Sequence, residues 1–328
     1  MIDWLLEKAE APIRYRVARE LLKDERLAKK IEPELLEYPL VQKWLKNLSE
    51  HYNIHGSFDL CLENAIPKLV QLGLHGGLQS LTEAAEIYIN RFEEKWISAN
   101  IFSLAGIKND DIMKFMLNKL DKIHRFVQMK TYDFYISDED REKLTFVPIR
   151  WRDKKFIKPE FRNDEFNYPF IYDVLGMFRL YELNDLAVDQ KINDVIDYIS
   201  TDEFNANVVD GYGILIWDNK KYYGQGWDPK YPGWFDAAGY DNMPKLLFYA
   251  QNIIKYPPAR KTKWFSELLN YLEKFKTENG TYIFPAKWIK EMSGYAVQGN
   301  HLSFGEPRTK RNWCEIESTF LMLLLKNY

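Results

Sequence analysis

Toward its end the chain contains two helical stretches of opposite character, Lys263–Lys276 (KWFSELLNYLEKFK) and Cys314–Leu325 (CEIESTFLMLLL). In the first, Phe265, Leu268, Leu269, Leu272 and Phe275 recur every three or four residues, which places one apolar stripe on an otherwise polar helix. The second is apolar on nearly every side, the pattern of a helix with no face toward water. An outer helix wetted on one side, paired with an inner helix wetted on none, predicts a two-layered helical protein.

The same alternation extends backwards. Tyr168–Leu183 is apolar nearly all round, whereas Ala187–Ile199 carries Val188, Ile192, Val195, Ile196 and Ile199 on one face with acids opposite. Phe58–Leu72, interrupted by Pro67, leads through a turn at Gly73–Gly77 into the amphipathic Leu78–Phe92. Ser98–Leu104 and Asp110–Met129 repeat that hairpin, with Asp110 and Asp111 placed to favour a helix start. Ala11–Lys23 has Pro12 where the missing N–H costs nothing, and Glu34–Leu48 continues in helical period until His51–Ser57 breaks it. The expectation is an all-α fold in one domain spanning residues 1–328, an α/α toroid of about five or six helix pairs around a pocket. Two segments interrupt it: a polar excursion over 131–167, with Pro148, Pro159 and room for a short strand hairpin, and an aromatic loop over 205–242.

The turn after an outer helix recurs. Asp210-Gly211-Tyr212-Gly213-Ile214 and Asn279-Gly280-Thr281-Tyr282-Ile283 each place a turn dipeptide before a β-prone aromatic stretch. The run Tyr271–Tyr282 (YLEKFKTENGTY) resembles the repeat of squalene-cyclase and prenyltransferase-type proteins, and Trp313–Phe320 (WCEIESTF) is similar to the inner helix that follows such a turn. The resemblance covers about residues 168–328 and implies a toroid with a pocket at one mouth, without implying that family's chemistry. The cyclase acid motif Asp-x-Asp-Asp is absent, Asp138-Glu139-Asp140 being the nearest string. The diphosphate-binding Asp-Asp-x-x-Asp is also missing, because Asp110-Asp111-Ile112-Met113 is followed by Lys114. Asp59-Leu60-Cys61 superficially fits the zinc pair of protein prenyltransferases, with His55, His75, His124 or His301 as third ligand. Two residues apart on a helix, Asp59 and Cys61 would face different ways. No metal and no cofactor is predicted.

Three groups of residues are candidates for chemistry. His55, Asp59 and Glu63, spaced by four, share one face if a helix begins early enough, and an imidazole beside carboxylates shifts their proton affinities. Asp173, Glu315 and Glu317 are acids within apolar helices and must find partners there, with Arg179 and Arg311 the structural alternatives, or stay neutral. Tyr212–Tyr240 crowds rings among Gly and Pro. From this segment Trp217, Tyr222, Tyr223, Trp227, Trp234 and Asp236, with Trp313 from the last helix, are predicted to bind substrate.

Composition narrows the partners. The 45 Lys and Arg against 48 Asp and Glu leave a net charge of −3 with no block of like charge, so no nucleic-acid footprint exists. The longest apolar run, Phe320–Leu325, is far too short for a membrane span. Cys61 and Cys314 stand alone in apolar patterns, and the N-terminal Met1–Lys8 carries acids unlike a secretory or transit signal, from which a cytoplasmic location is expected. Rings make up 16% of the residues, pointing to a lined pocket and a small-molecule ligand. The expected function is an enzyme acting on a neutral or partly apolar small molecule such as an isoprenoid. The alternatives are a carbohydrate-active hydrolase or lyase using a carboxylate pair and Trp platforms, and a non-catalytic ligand-binding or scaffold protein.

Overall fold

A computed structural model describes residues 1–91, 96–144, 147–161, 170–209, 214–218, 221–225, 229–234, 242–289 and 291–327. The described chain is mostly helical. In order it forms α1 (Ile2–Lys8), α2 (Ala11–Arg16, continuing as a π-helical turn over Val17–Leu21), α3 (Glu25–Glu37), α4 (Pro39–Glu50), α5 (Leu62–Gln71) and α6 (Gln79–Ile89). Then come α7 (Trp96–Ala105), α8 (Asp110–Gln128), α9 (Asp138–Glu142), α10 (Ile171–Val174), α11 (Leu186–Ile199), α12 (Asp202–Asn207), α13 (Met243–Ile253), α14 (Pro257–Arg260), α15 (Lys263–Leu272) and α16 (Trp313–Lys326).

Local chemistry sets the helix ends. Asn109 accepts the amides of Asp111 at 3.0 Å and Ile112 at 3.1 Å, so Asp110 and Asp111 do sit in the first turn of α8, beside its exposed N–H groups. Asp185 caps α11, and Thr262 caps α15, by the same means. Three boundaries differ from the sequence expectation. The helical period over Glu34–Leu48 is divided at Tyr38, because Pro39 pushes its predecessor out of the helical region. Tyr168–Leu183 is not one inner helix: over its described part it is the four-residue α10 followed by a 3₁₀ segment, Met177–Leu183. Finally, α5 begins at Leu62 rather than Phe58, and runs through Pro67.

Helices of two kinds stand out in the burial pattern. Every residue of α13 is buried, as are Ile316–Met322 of α16, whereas α3, α8 and α15 bury a single stripe. Neighbours follow in sequence: α4 packs on α5 and α6, α5 on α7, α7 on α8, and α8 on α11. At the other end α13 packs on α16, and α16 returns to touch α1 and the π turn after α2. One apolar cluster runs through all of this, from Leu5 to Leu325. Each fully buried aliphatic or aromatic side chain in it contributes about 1.5–3 kcal/mol.

The excursion and the aromatic segment are joined by a small sheet. Strand β1 (Lys155–Phe156) pairs in parallel with β2 (Ile214–Asp218), which pairs antiparallel with β3 (Lys221–Gln225), placing Trp217 opposite Tyr222. Many rings are spent on the core. Phe126, Phe134, Tyr198 and Phe204 pack edge to face or tilted, and Tyr231, Trp234 and Trp264 form a second stack. Among the described residues no helix is long and apolar enough to cross a membrane.

Candidate functional site

The chain ahead of α5 doubles back on the helix it precedes. Leu62 N–H donates to Asn53 O at 2.8 Å and Glu63 N–H to Ile54 O at 3.3 Å, so residues 53–61 fold over the N-terminus of α5. Asn64, almost wholly buried, holds this fold to a second loop: its Nδ2 donates to Gly56 O and Phe58 O at 2.8 and 2.9 Å, while its Oδ1 accepts Ala296 N–H at 2.9 Å. Two irregular segments, 53–61 and 291–306, are thereby set against each other.

Ionisable side chains gather between them. Glu63 Oε1 accepts Gly56 N–H at 2.5 Å and lies 2.8 Å from His55 Nδ1; the carboxyl is 3% exposed while the imidazole is 51% exposed and stacks beside Tyr295. His301 comes from the opposite loop, its ring edge-on to Trp44 at 5.0 Å. Its Nε2 is 3.0 Å from Gly294 O, and since a carbonyl only accepts, Nε2 carries the hydrogen and Nδ1 keeps a lone pair. Asp59 Oδ1 is 3.7 Å from Nε2, beyond hydrogen-bond reach. Glu63 Oε2, Asp59 Oδ1 and His301 Nδ1 are each buried with no hydrogen-bond partner. Such orphaned groups are costly in a folded core and concentrate where a further group is meant to bind.

A charged floor supports this array. Lys68, fully buried, donates to Glu291, to Ser303 O at 2.9 Å and to Ser303 Oγ at 2.8 Å. Glu317, at 0% exposure, accepts Phe304 N–H and Glu306 N–H at 3.0 and 2.9 Å and Arg308 Nη1 at 3.1 Å. Arg308 also covers the Trp313 ring, 3.7 Å from its centroid.

Electrostatics follow from burial. Desolvation raises Glu63, against the pull of the Gly56 amide and His55. It raises Glu317 to about 7, although Arg308 and the two amides oppose it. Desolvation, helped by Lys68, lowers His301 and keeps its imidazole neutral. Lys68 is itself lowered, by burial first. Burial works to raise Glu291, yet the adjacent Lys68 and Ser303 hold it below the usual carboxylate range.

The sequence candidates are distributed unevenly around this array. His55 and Glu63 do come together, but not on one helix face: His55 and Asp59 lie on the loop before α5, which brings His55 to Glu63 and Asp59 toward His301 instead. Glu317 belongs to the floor beneath them, paired with Arg308 rather than Arg311. Asp173 is buried and takes Lys119 Nζ at 2.5 Å, not Arg179; burial raises it and Lys119 opposes the rise. Glu315 accepts the Thr281 hydroxyl at 2.5 Å, away from the rest.

Trp234 is taken up by the core between Tyr231 and Trp264, its Nε1–H on Asp202 at 3.2 Å, so it offers no open ring face. Trp217, Tyr222 and Tyr223 lie on β2 and β3. Trp227 and Asp236 fall outside the described residues. Among the described residues no three His, Cys, Asp or Glu side chains gather as a metal ion would require, and Cys61 is buried at the start of α5.

Lys68, Glu291, Ser303 and Arg308 were not singled out by sequence reasoning. A lysine inside the apolar run Ile66–Leu69 was the available signal, since a buried ammonium demands an acid partner. The chain matches no protein-family model, no curated protein and no solved structure.

Proposed function

We propose that the protein is an α/α toroid enzyme that transfers protons to and from a neutral, hydroxylated small molecule of the carbohydrate class. The observation that carries this reading is the trio of orphaned buried atoms, Glu63 Oε2, Asp59 Oδ1 and His301 Nδ1, at the loops ahead of inner helices α5 and α16. Their proton affinities are shifted in opposite directions. Burial raises that of Glu63, whose Oε2 nothing else uses, and His55 connects the carboxyl to solvent. His301, with its hydrogen committed to Gly294, presents a lone pair. A carboxyl of raised and an imidazole of lowered proton affinity are suited to general acid–base catalysis.

The polarity of the array favours the carbohydrate reading over the isoprenoid one, because Asp59, Glu63 and His301 would leave an apolar chain beside polar atoms it cannot satisfy. Tyr295 beside His55 and Trp44 beside His301 supply apolar ring surface of the sort sugars contact. The toroid reading is supported by the return of α16 to α1 and α2 and by the alternation of fully and half-buried helices.

The test is a thermal-shift screen of the full chain against neutral oligosaccharides and isoprenoid alcohols, followed by turnover of whichever class binds. A carbohydrate is expected to raise the melting temperature, and Glu63→Gln and His301→Gln to cut turnover about 100-fold or more while leaving the ligand-induced shift in place. A shift with isoprenoids alone would return the isoprenoid reading; binding without turnover in the unmodified protein would leave a ligand-binding protein.

A further inference from the structure

The connection between α7 and α8 meets the 3₁₀ segment Met177–Leu183 at a cleft of about 290 Å³. Both walls are fixed from behind. Gly76 N–H donates to Ala105 O at 2.8 Å, and a Cβ on Gly76 would stand 2.0 Å from Gly106 O, so these backbones meet only because no side chain intervenes. Ser103 Oγ donates to Gly176 O at 2.7 Å, and Gly176 N–H donates to Asn100 Oδ1 at 3.0 Å, which pins the start of the 3₁₀ segment to α7. Gly106, at φ 73°, then lies against the Arg179 guanidinium: a Cβ there would be 3.0 Å from Cζ, 3.1 Å from Nε and 3.2 Å from Nη2. With the carbon no farther than the nitrogens, Gly106 covers the face of the guanidinium and leaves its edge clear.

Burial grades the lining from floor to rim. Ser103, Ile107 and Ile112 are buried, Arg179 and Met113 are half-buried, and Lys108, Asp110, Glu182 and Leu183 are exposed. The Ser103 hydroxyl is taken by Gly176, so the floor offers apolar surface, and Arg179 is the deepest charge in the cleft. Its Nη1 holds Glu182 at 2.7 Å, while Nε and Nη2 have no acceptor among the described residues. Glu182 and Asp110, the latter in the first turn of α8, put two carboxylates at the rim, where Lys108 adds a second cation.

We propose that this cleft binds a free α-amino acid with an aliphatic side chain. The open edge of the guanidinium, Nε and Nη2, matches a carboxylate bidentately. The rim carboxylates disfavour a second negative charge and attract the ammonium that an amino acid carries on the next carbon. Ile107, Ile112 and Met113 receive the apolar side chain, and the volume, at the small end of ligand pockets, suits a ligand of that size. The cleft shares no residue with the Glu63 array and does not depend on how that array is read.

The experiment is isothermal titration calorimetry of the full chain with L-leucine and with analogues that each lack one feature: leucinamide without the carboxylate, isocaproate without the ammonium, and glycine without the side chain. Leucine is expected to bind about tenfold or more tightly than any of them. Arg179→Gln should weaken leucine about tenfold and Arg179→Lys less, while Lys143→Gln, at the end of α9, should leave it unchanged. Glu182→Gln should weaken leucine yet strengthen isocaproate, because the same carboxylate attracts the ammonium and repels the lone acid. No binding of leucine up to about 10 mM, equal affinity for leucine and either leucinamide or isocaproate, or leucine affinity unchanged in Arg179→Gln would each overturn the proposal. Should Arg179→Gln fail to fold, Arg179→Lys and the analogue series on the unmodified protein decide the matter.

Discussion

The two ends of α5 bury charge in opposite ways. At its N-terminus Glu63 is buried beside His55, and His301 beside Asp59 and Lys68, and the stress is relieved by shifts of proton affinity: Glu63 is raised and His301 lowered, both toward neutrality. At its C-terminus Arg16 donates to Gln71 O at 2.9 Å, and Arg19, Arg179 and Lys255 stand near. There guanidinium groups cannot shed their protons, so the stress is met by Glu20 and Glu182. The helix dipole favours this sorting, with acid at the positive end and cations at the negative end. Between them Gln71 ties the helix across the molecule, donating to Leu302 O at 2.9 Å and accepting Gln251 Nε2–H at 2.9 Å. A proton-adjustable end and a charge-locked end should respond differently to pH and to mutation.

The largest effect is expected at the floor of the adjustable end. Lys68→Met removes the ammonium that holds Glu291 and Ser303, and should cost about 2–6 kcal/mol in urea unfolding, because two buried acceptors, Ser303 O and Oγ, each lose a charged donor. Glu317→Gln tests the proton relief itself. A carboxyl raised from 4.5 to about 7 on folding stabilises the native state fully below about pH 4.5 and loses that contribution as pH rises through about 7. The stability difference between wild type and Glu317→Gln should therefore fall by about 3 kcal/mol from pH 4.5 to pH 7.5, measured by denaturant melts along the series. A difference independent of pH would mean that Glu317 stays ionised, fixed by Arg308 and the two amides.

Cutting the tie between the ends should cost less. Gln71→Leu strands Leu302 O and the Gln251 amide inside the core, for about 1–3 kcal/mol by the same melts. The smallest effect is expected at the locked end, where Arg19→Gln removes a cation that makes no direct ion pair among the described residues and acts on Glu20 only at a distance. Its stability in urea melts should stay within about 0.5 kcal/mol of wild type. A loss of several kcal/mol would show that Arg19 supports the fold.

How much of this was readable in advance depends on range. The period of Lys263–Lys276 and Cys314–Leu325 announced one-sided and fully buried helices, and α15 and α16 follow, since amphipathicity is a property of neighbouring residues alone. Asp110 and Asp111 were legible as a helix start for the same reason. Tyr168–Leu183 misled because uniform hydrophobicity reports burial, not conformation, and an inner segment satisfies it equally as a short helix and a 3₁₀ turn.

The array around Glu63 was legible only in its near half. His55, Asp59 and Glu63 stand close in sequence and drew attention for it, though a loop rather than a helix face unites His55 with Glu63. His301 lies far away in sequence, and Glu291 and Ser303 meet Lys68 across more than 220 positions. Sequence by itself determined the helical class, the sorting of helices such as α15 and α16 into wet and dry, and the capped start of α8, all of which rest on contacts within a few residues. Tertiary structure decided where α5 begins, which acids are paired and which proton sits on which ring nitrogen. Those outcomes depend on burial and on distances between remote segments, and Coulomb energies in a low-dielectric interior change steeply with both.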